Sequence, residues 1–234
     1  MTSGYTIFPL GDCALTIEFG HVIDKEVNKR VLALFRQLKS LPLPGITDVV
    51  PAYGSLSVYY DTVAILQEAE EDKTAFETMS EAMRQLLEGE HLSAIDVSPR
   101  HIRVPVCYAP RYAPDLEMLA NARELTTEEV VHLHTTGVYR VYMLGFLPGF
   151  AYMGEVDERI AMPRKDTPQW VAAGGVGIAG RQTGIYPLGS PGGWQIIGRT
   201  PLKLFHRKDE HPVLFSPGDT VTFYSITEDE FAHY

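Results

Sequence analysis

The stretch that decides the fold reads Y-R-V-Y-M-L-G-F-L-P-G-F-A-Y-M-G over residues 139–154 and V-A-A-G-G-V-G-I-A-G-R-Q-T-G-I-Y-P-L-G-S-P-G-G-W-Q-I-I-G over residues 171–198. The second part holds nine of the chain's 20 glycines. An interior glycine costs a helix about 0.5–1 kcal/mol relative to alanine, so this density argues against helix. Apolar residues between the glycines argue against a flexible linker. Tight turns and short strands remain. Further strand candidates lie at 138–143, 170–173, 177–179, 184–186, 194–197, 202–205, 213–215 and 221–226, with Pro217-Gly218-Asp219 as a turn before the last. Many short strands separated by Gly and Pro predict a closed or nearly closed β-barrel, which leaves no open edges.

Upstream of this stretch, Ile102, Val104 and Val106 alternate as a strand. Asp115 is placed to cap a short helix carrying Leu116, Met118 and Leu119. Thr126 and Glu129 form a capping box for another helix. Residues 96–100, D-V-S-P-R, read as a linker. In the amino-terminal part, strands are expected at 5–9, 14–19, 46–51 and 56–60. Asp24 caps a helix over 25–39, with Val27, Val31, Leu34, Phe35 and Leu38 at helical spacing. A second helix starts near Thr74 and ends at Gly89. The expectation is therefore an α+β chain in two domains. Residues 1–95 form a small β-β-α-β-β-α unit, with helices on one face of an antiparallel sheet. Residues 99–234 form the barrel.

Composition narrows the classes of function. The chain has 234 residues, 45% of them apolar, and a formal net charge of -10. Such a field repels phosphate backbones, so no nucleic acid is expected as a partner. No run approaches 18 apolar residues, so no membrane partner is expected. The opening M-T-S-G-Y-T-I-F-P-L lacks the basic and long apolar regions of a secretory signal. With only Cys13 and Cys107, two buried thiols in a reduced, cytoplasmic protein are the expectation. His132 and His134 are two apart and share no helix face, and no metal-ligand spacing occurs, so no metal is expected. A structural or surface role suits both.

The chemistry is concentrated in the glycine-rich part. It has neither a P-loop nor a dinucleotide fingerprint. Backbone N–H groups around Gly174, Gly175, Gly177 and Gly180, with Arg181, Gln182, Thr183 and Arg199, form a candidate anion or substrate site. Arg164 and Lys165 stand just before it. The same glycines and arginines also suit a barrel with tight turns and a basic rim. Phe146, Phe150, Tyr152, Tyr186 and Trp194 are candidates for a pocket or a protein interface, with ordinary core packing the prior for any one of them. No general acid, base or nucleophile can be assigned, so the catalytic residues are left unknown.

The motifs G-F-L-P-G-F-A-Y-M at 145–153 and G-V-G-I-A-G-R-Q-T-G-I-Y-P-L-G-S-P-G-G-W-Q-I-I-G-R-T-P-L at 175–202 resemble the allophanate hydrolase subunit 1 family. G-D-C-A-L at 11–15, P-V-C-Y at 105–108 and P-G-D at 217–219 fit the same pattern. That family includes the B subunit of 5-oxoprolinase and a sporulation histidine-kinase inhibitor. The resemblance implies a cyclophilin-like barrel after a small α+β domain. It implies two partners, an allophanate hydrolase subunit 2-like protein and a lactam-utilisation subunit. It also implies ATP as co-substrate of an assembled complex that opens 5-oxo-L-proline to L-glutamate, with this chain inactive alone. Inhibition of a sensor histidine kinase is the alternative. Two departures stand out. Gln169 replaces an Arg common in the family, and 171–176 reads V-A-A-G-G-V rather than V-P-A-G-S-V, with Ala172 and Gly175 at the changed positions.

Overall fold

The computed structural model of the chain describes residues 4–69, 72–89 and 99–234. The chain falls into two compact units, Met1–Ser98 and Pro99–Tyr234. Residues 96–98 of the expected linker lie outside the described residues.

The first unit runs β1 (Thr6–Pro9), β2 (Ala14–Glu18), α1 (Lys25–Ser40), β3 (Ile46–Pro51), β4 (Ser55–Tyr60), α2 (Thr62–Glu68) and α3 (Ala75–Glu88). Its four strands pair antiparallel in the order β1-β2-β4-β3. The Asp24 carboxylate accepts from the N–H groups of Glu26 and Val27, both at 2.8 Å, and so starts α1. Val31, Leu34 and Leu38 of α1, with Met79 and Met83 of α3, bury against Ile17, Leu56 and Val58 of the sheet. The order departs from expectation by one helix. Asp61 caps α2 through Val63 and Ala64, a local signal that the sequence reading did not use. Cys13 is also exposed, contrary to expectation, whereas Cys107 is buried.

The second unit contains β5 (His101–Cys107), α4 (Leu116–Ala122), α5 (Thr127–Thr136), β6 (Tyr139–Leu144), β7 (Ala151–Gly154) and β8 (Gln169–Val171). It continues with β9 (Gly175–Ala179), β10 (Gln182–Ile185), β11 (Ser190–Gly192), β12 (Gln195–Arg199), β13 (Thr220–Ile226) and α6 (Glu228–Ala232). Seven strands close a barrel in the order β10-β7-β6-β13-β5-β12-β9, and β9 returns to β10. All seven send side chains into one core, among them Val104, Val141, Met153, Val176, Ile185, Ile197 and Val221. Leu116, Leu119 and Val130 of α4 and α5 join that core.

Three expectations are corrected. The strand expected at 170–173 belongs to a separate two-stranded sheet, β8 with β11. The strands expected at 202–205 and 213–215 reduce to a single bridge, Phe205 to Val213. Pro201 and Pro212 flank those segments and have no N–H for a ladder. Asp115 makes no cap bond to α4. Its carboxylate instead accepts from Ile196 N–H at 2.6 Å. The capping box of α5 forms as expected, with Thr126 and Glu129 bonded reciprocally. Among the described residues no helix is long and apolar enough to cross a membrane.

Candidate functional site: an aromatic face on the barrel wall

The strands β7, β10, β9 and β12 form one wall of the barrel, and alternation separates its faces. Met153, Val176, Ile178 and Ile185 point to the interior core. Phe150, Ala179, Tyr186, Trp194 and Ile196 pack together on the other side, with Tyr152 beside them. Gly184 and Gly177 are cross-strand partners on that outward face. A Cβ on Gly184 would stand 3.1 Å from both the Phe150 and Trp194 rings. A Cβ on Gly177 would stand 3.1 Å from the Trp194 and Ile196 side chains. The two glycines therefore form a flat floor for large rings.

The five aromatics named from the sequence come together on this floor. Phe150 is the hub, with ring centroids 4.9 Å from Tyr152, 5.3 Å from Tyr186 and 5.4 Å from Trp194. All three pairs meet edge to face, the geometry ring quadrupoles favour. Phe146 extends the cluster, 5.5 Å from Phe150 and 6.1 Å from Tyr186. Phe150, Tyr186 and Trp194 are buried, but Phe146 is 59% exposed. It is also held at φ 69°, a left-handed conformation unusual for a bulky residue.

The candidate anion groups are not gathered into one cradle. The N–H of Gly174 donates to Tyr186, that of Gly175 to Ala172 and that of Gly180 to Met162, all to carbonyls. Gly177 is paired on both sides, with Gly184 and Ile196. Gly174 serves the backbone turn: its φ is +82°, and a Cβ there would sit 2.3 Å from the Thr200 carbonyl. Arg199 pairs with Gly175 at the start of β9 and donates to the Ala173 carbonyl at 2.8 Å. Arg181 follows Gly180 at the other end and pairs with Glu155 at 2.6 Å. At about 3.3 Å per residue the two positions are roughly 16 Å apart along the strand, so these tethered arginines do not share one anion. Gln182 is half-buried beside Ala179. Thr183 is fully buried and bonds inside the barrel.

Besides Arg181, the Gly180 end carries the cations of the preceding segment. A bridge from Met162 to Gly180 lays residues 162–165 across this end of the wall. Lys165 pairs with Asp115 at 2.7 Å, and both side chains are largely buried. Its ammonium also reaches the Gln169 side-chain carbonyl at 2.9 Å. Gln169 thus suits this chain, because an Arg there would place a second cation beside Lys165. Gly175 fits likewise, since a Cβ would stand 2.6 Å from Val171 Cγ1. Arg164 lies over the Trp194 ring, 6.0 Å from its centroid.

A buried network behind the wall was not visible in the sequence. His134 lies between Tyr108, 2.7 Å from its Nδ1, and Thr183, 3.0 Å from its Nε2. Thr183 donates onward to the Gly177 carbonyl at 3.1 Å. Burial lowers the His134 pKa to about 3 and raises those of Tyr108 and Tyr139, so the imidazole is neutral and the phenols keep their protons. Among the described residues no group of three or more His, Cys, Asp or Glu could hold a metal ion.

A two-layer α/β unit followed by a closed seven-stranded barrel defines the class, and residues 5–215 match the family described as carboxyltransferase domain, subdomain C and D. The chain belongs to that family. It is 42% identical to the 5-oxoprolinase B subunit of Bacillus subtilis (strain 168), covering 100% of this chain and 98% of that protein. It is 36% identical to the 5-oxoprolinase B subunit of Escherichia coli O157:H7, covering 92% and 93%. Among solved structures, the crystal structure of TTHA0988 superposes with a TM-score of 0.78 at 37% identity. The match covers 91% of this chain but spans only 40% of that longer one.

Proposed function

We propose that this chain is a non-autonomous subunit of a 5-oxoprolinase. With its partners it opens the lactam of 5-oxo-L-proline to L-glutamate, coupled to ATP hydrolysis. The observation that carries this reading is the 42% identity to a 5-oxoprolinase B subunit along the whole chain, through both units and not the barrel alone. In the reaction water adds across the amide: hydroxyl goes to the carbonyl carbon and a proton to the ring nitrogen.

This chain contributes a barrel of cyclophilin-like type whose wall carries a packed aromatic cluster, and no general acid or base is assigned to it. The glycine-rich segment 174–181 does not fit a triphosphate. The N–H groups of Gly174, Gly175 and Gly180 are engaged with carbonyls, and Arg181 is neutralised by Glu155. ATP is accordingly a co-substrate of the assembled complex, and no step is routed through residues 174–180. The partners proposed are an allophanate hydrolase subunit 2-like protein and a lactam-utilisation subunit.

The test is 5-oxoproline-dependent ATP hydrolysis by this chain alone, by the partners and by the full mixture. Activity in the full mixture only is expected. A stable complex without activity would remove the reaction. Suppression of histidine-kinase autophosphorylation would then be the next measurement.

A further inference from the structure

A cleft of about 1000 Å³ lies where the parallel neighbours β5 and β13 end, and it shares no lining residue with the aromatic cluster. Cys107 and Ile226, the last residues of those strands, line it. One wall is α5, through Val131. Another is the loop 109–114 that leads into α4, and a third is the start of α6, through Thr227 and Glu228.

The wall made by α6 is attached differently from the others. The helices α4 and α5 sink Leu116, Leu119 and Val130 into the barrel core. Helix α6 has five residues and none is buried; Phe231 alone among them is half-buried. So short a helix has no stability of its own, because nucleation is costly. The capping box of Thr227 and Glu230 starts it. The Phe231 ring holds it to the barrel, 4.4 Å from the Tyr112 ring and tilted by 30°. The Arg199 guanidinium lies over Phe231, 5.9 Å from its centroid. Beyond the helix, a 3.0 Å bond between the hydroxyls of Tyr224 and Tyr234 adds an exposed tie. Tyr112 belongs to the loop that forms another wall, so the Tyr112–Phe231 pair fastens one wall of the cleft to the next. Segments with few buried contacts open at a small fraction of the free energy of global unfolding.

We infer that α6 is a latch on this cleft: it lifts from the barrel as a unit while β13 and the core stay folded, and the Tyr112–Phe231 pair is its catch. When it lifts, the cleft loses the wall formed by Thr227 and Glu228, and Arg199 loses the ring beneath it. The barrel core is left whole, since α6 contributes no residue to it. This inference goes beyond the 5-oxoprolinase reading and does not depend on it.

The experiment is amide hydrogen exchange on the full chain and on the variants Tyr112→Ala and Tyr112→Phe. The reporters are the N–H groups of Phe231 and His233, bonded to the carbonyls of Thr227 and Glu230, against those of β13. In the unmodified chain the α6 amides should exchange at least about 100-fold faster than those of β13. Tyr112→Ala should speed α6 exchange about 10-fold further and leave β13 unchanged, whereas Tyr112→Phe keeps the ring and should match the unmodified chain. A second readout is labelling of Cys107, which is buried, by a chromogenic disulfide reagent in a Cys13→Ser background, because Cys13 is exposed. Its rate should rise with α6 exchange in Tyr112→Ala. Exchange of α6 at the rate of β13, no change in Tyr112→Ala, or equal acceleration of both elements would overturn the latch. Faster α6 exchange with Cys107 labelling unchanged would overturn its control of the cleft.

Discussion

At the residue scale, His134 shows how a buried polar group can be fully determined. Thr183 donates its hydroxyl to the Gly177 carbonyl, so its oxygen must accept from His134 Nε2–H. The Nδ1 is then bare and accepts from the Tyr108 hydroxyl. This single tautomer links α5, the residue after β5, β10 and β9, and it requires a neutral ring. The folded pKa, about 3, lies below the ordinary histidine value of 6.5. The unfolded chain therefore binds the proton more readily between those values. The contribution to stability is complete above pH 6.5 and falls as pH drops from 6.5 toward about 3. Urea unfolding at pH 6.5 and pH 5.0 should show the wild-type chain losing about 1.5 kcal/mol more than His134→Gln. Equal losses in the two proteins would mean that the imidazole is not held neutral.

At the scale of elements, the cap of α5 was legible and the floor of the aromatic face was not. Thr126 and Glu129 announce the start of α5 within four residues, and the structure forms both bonds. Thr126→Ala should lower stability by about 1 kcal/mol in chemical denaturation. The helices α1 and α3 were likewise legible from their caps and apolar period. By contrast α2 and α6, of seven and five residues, were not anticipated. The Thr227 and Glu230 capping box of α6 is a local signal of the same kind as that of α5, and it alone could have marked this helix. Gly177 looked like a donor for an anion and Gly184 like the start of a short strand, because the chain around them is rich in arginines and other glycines. Their neighbours in space are Phe150 and Trp194, brought in from other parts of the barrel, and spacing along the chain cannot show that. Gly184→Ala tests the floor. Its Cβ would stand 3.0 Å from the Ala151 carbonyl and 3.1 Å from both rings. Overpacking of this kind should cost about 1–3 kcal/mol and alter the near-UV signal of Trp194. An unchanged spectrum with full stability would show that the rings do not rest on this glycine.

At the scale of the whole molecule, each compact unit has its own core: one built from residues such as Leu15, Val31 and Met83, the other from residues such as Val104, Met153 and Phe223. The two-part α+β plan could be anticipated because strands and helices in each part carry local signals. The five candidate aromatics pack into one cluster on the barrel wall. Arg181 and Arg199 flank one segment in sequence but lie at opposite ends of β9. The most direct measurement is glutamate formed from 5-oxo-L-proline and ATP by the full set of subunits, with this chain present or omitted. The account predicts glutamate and matching ADP only when this chain is present together with its partners. Equal glutamate formation without this chain, or formation by this chain alone, would contradict it.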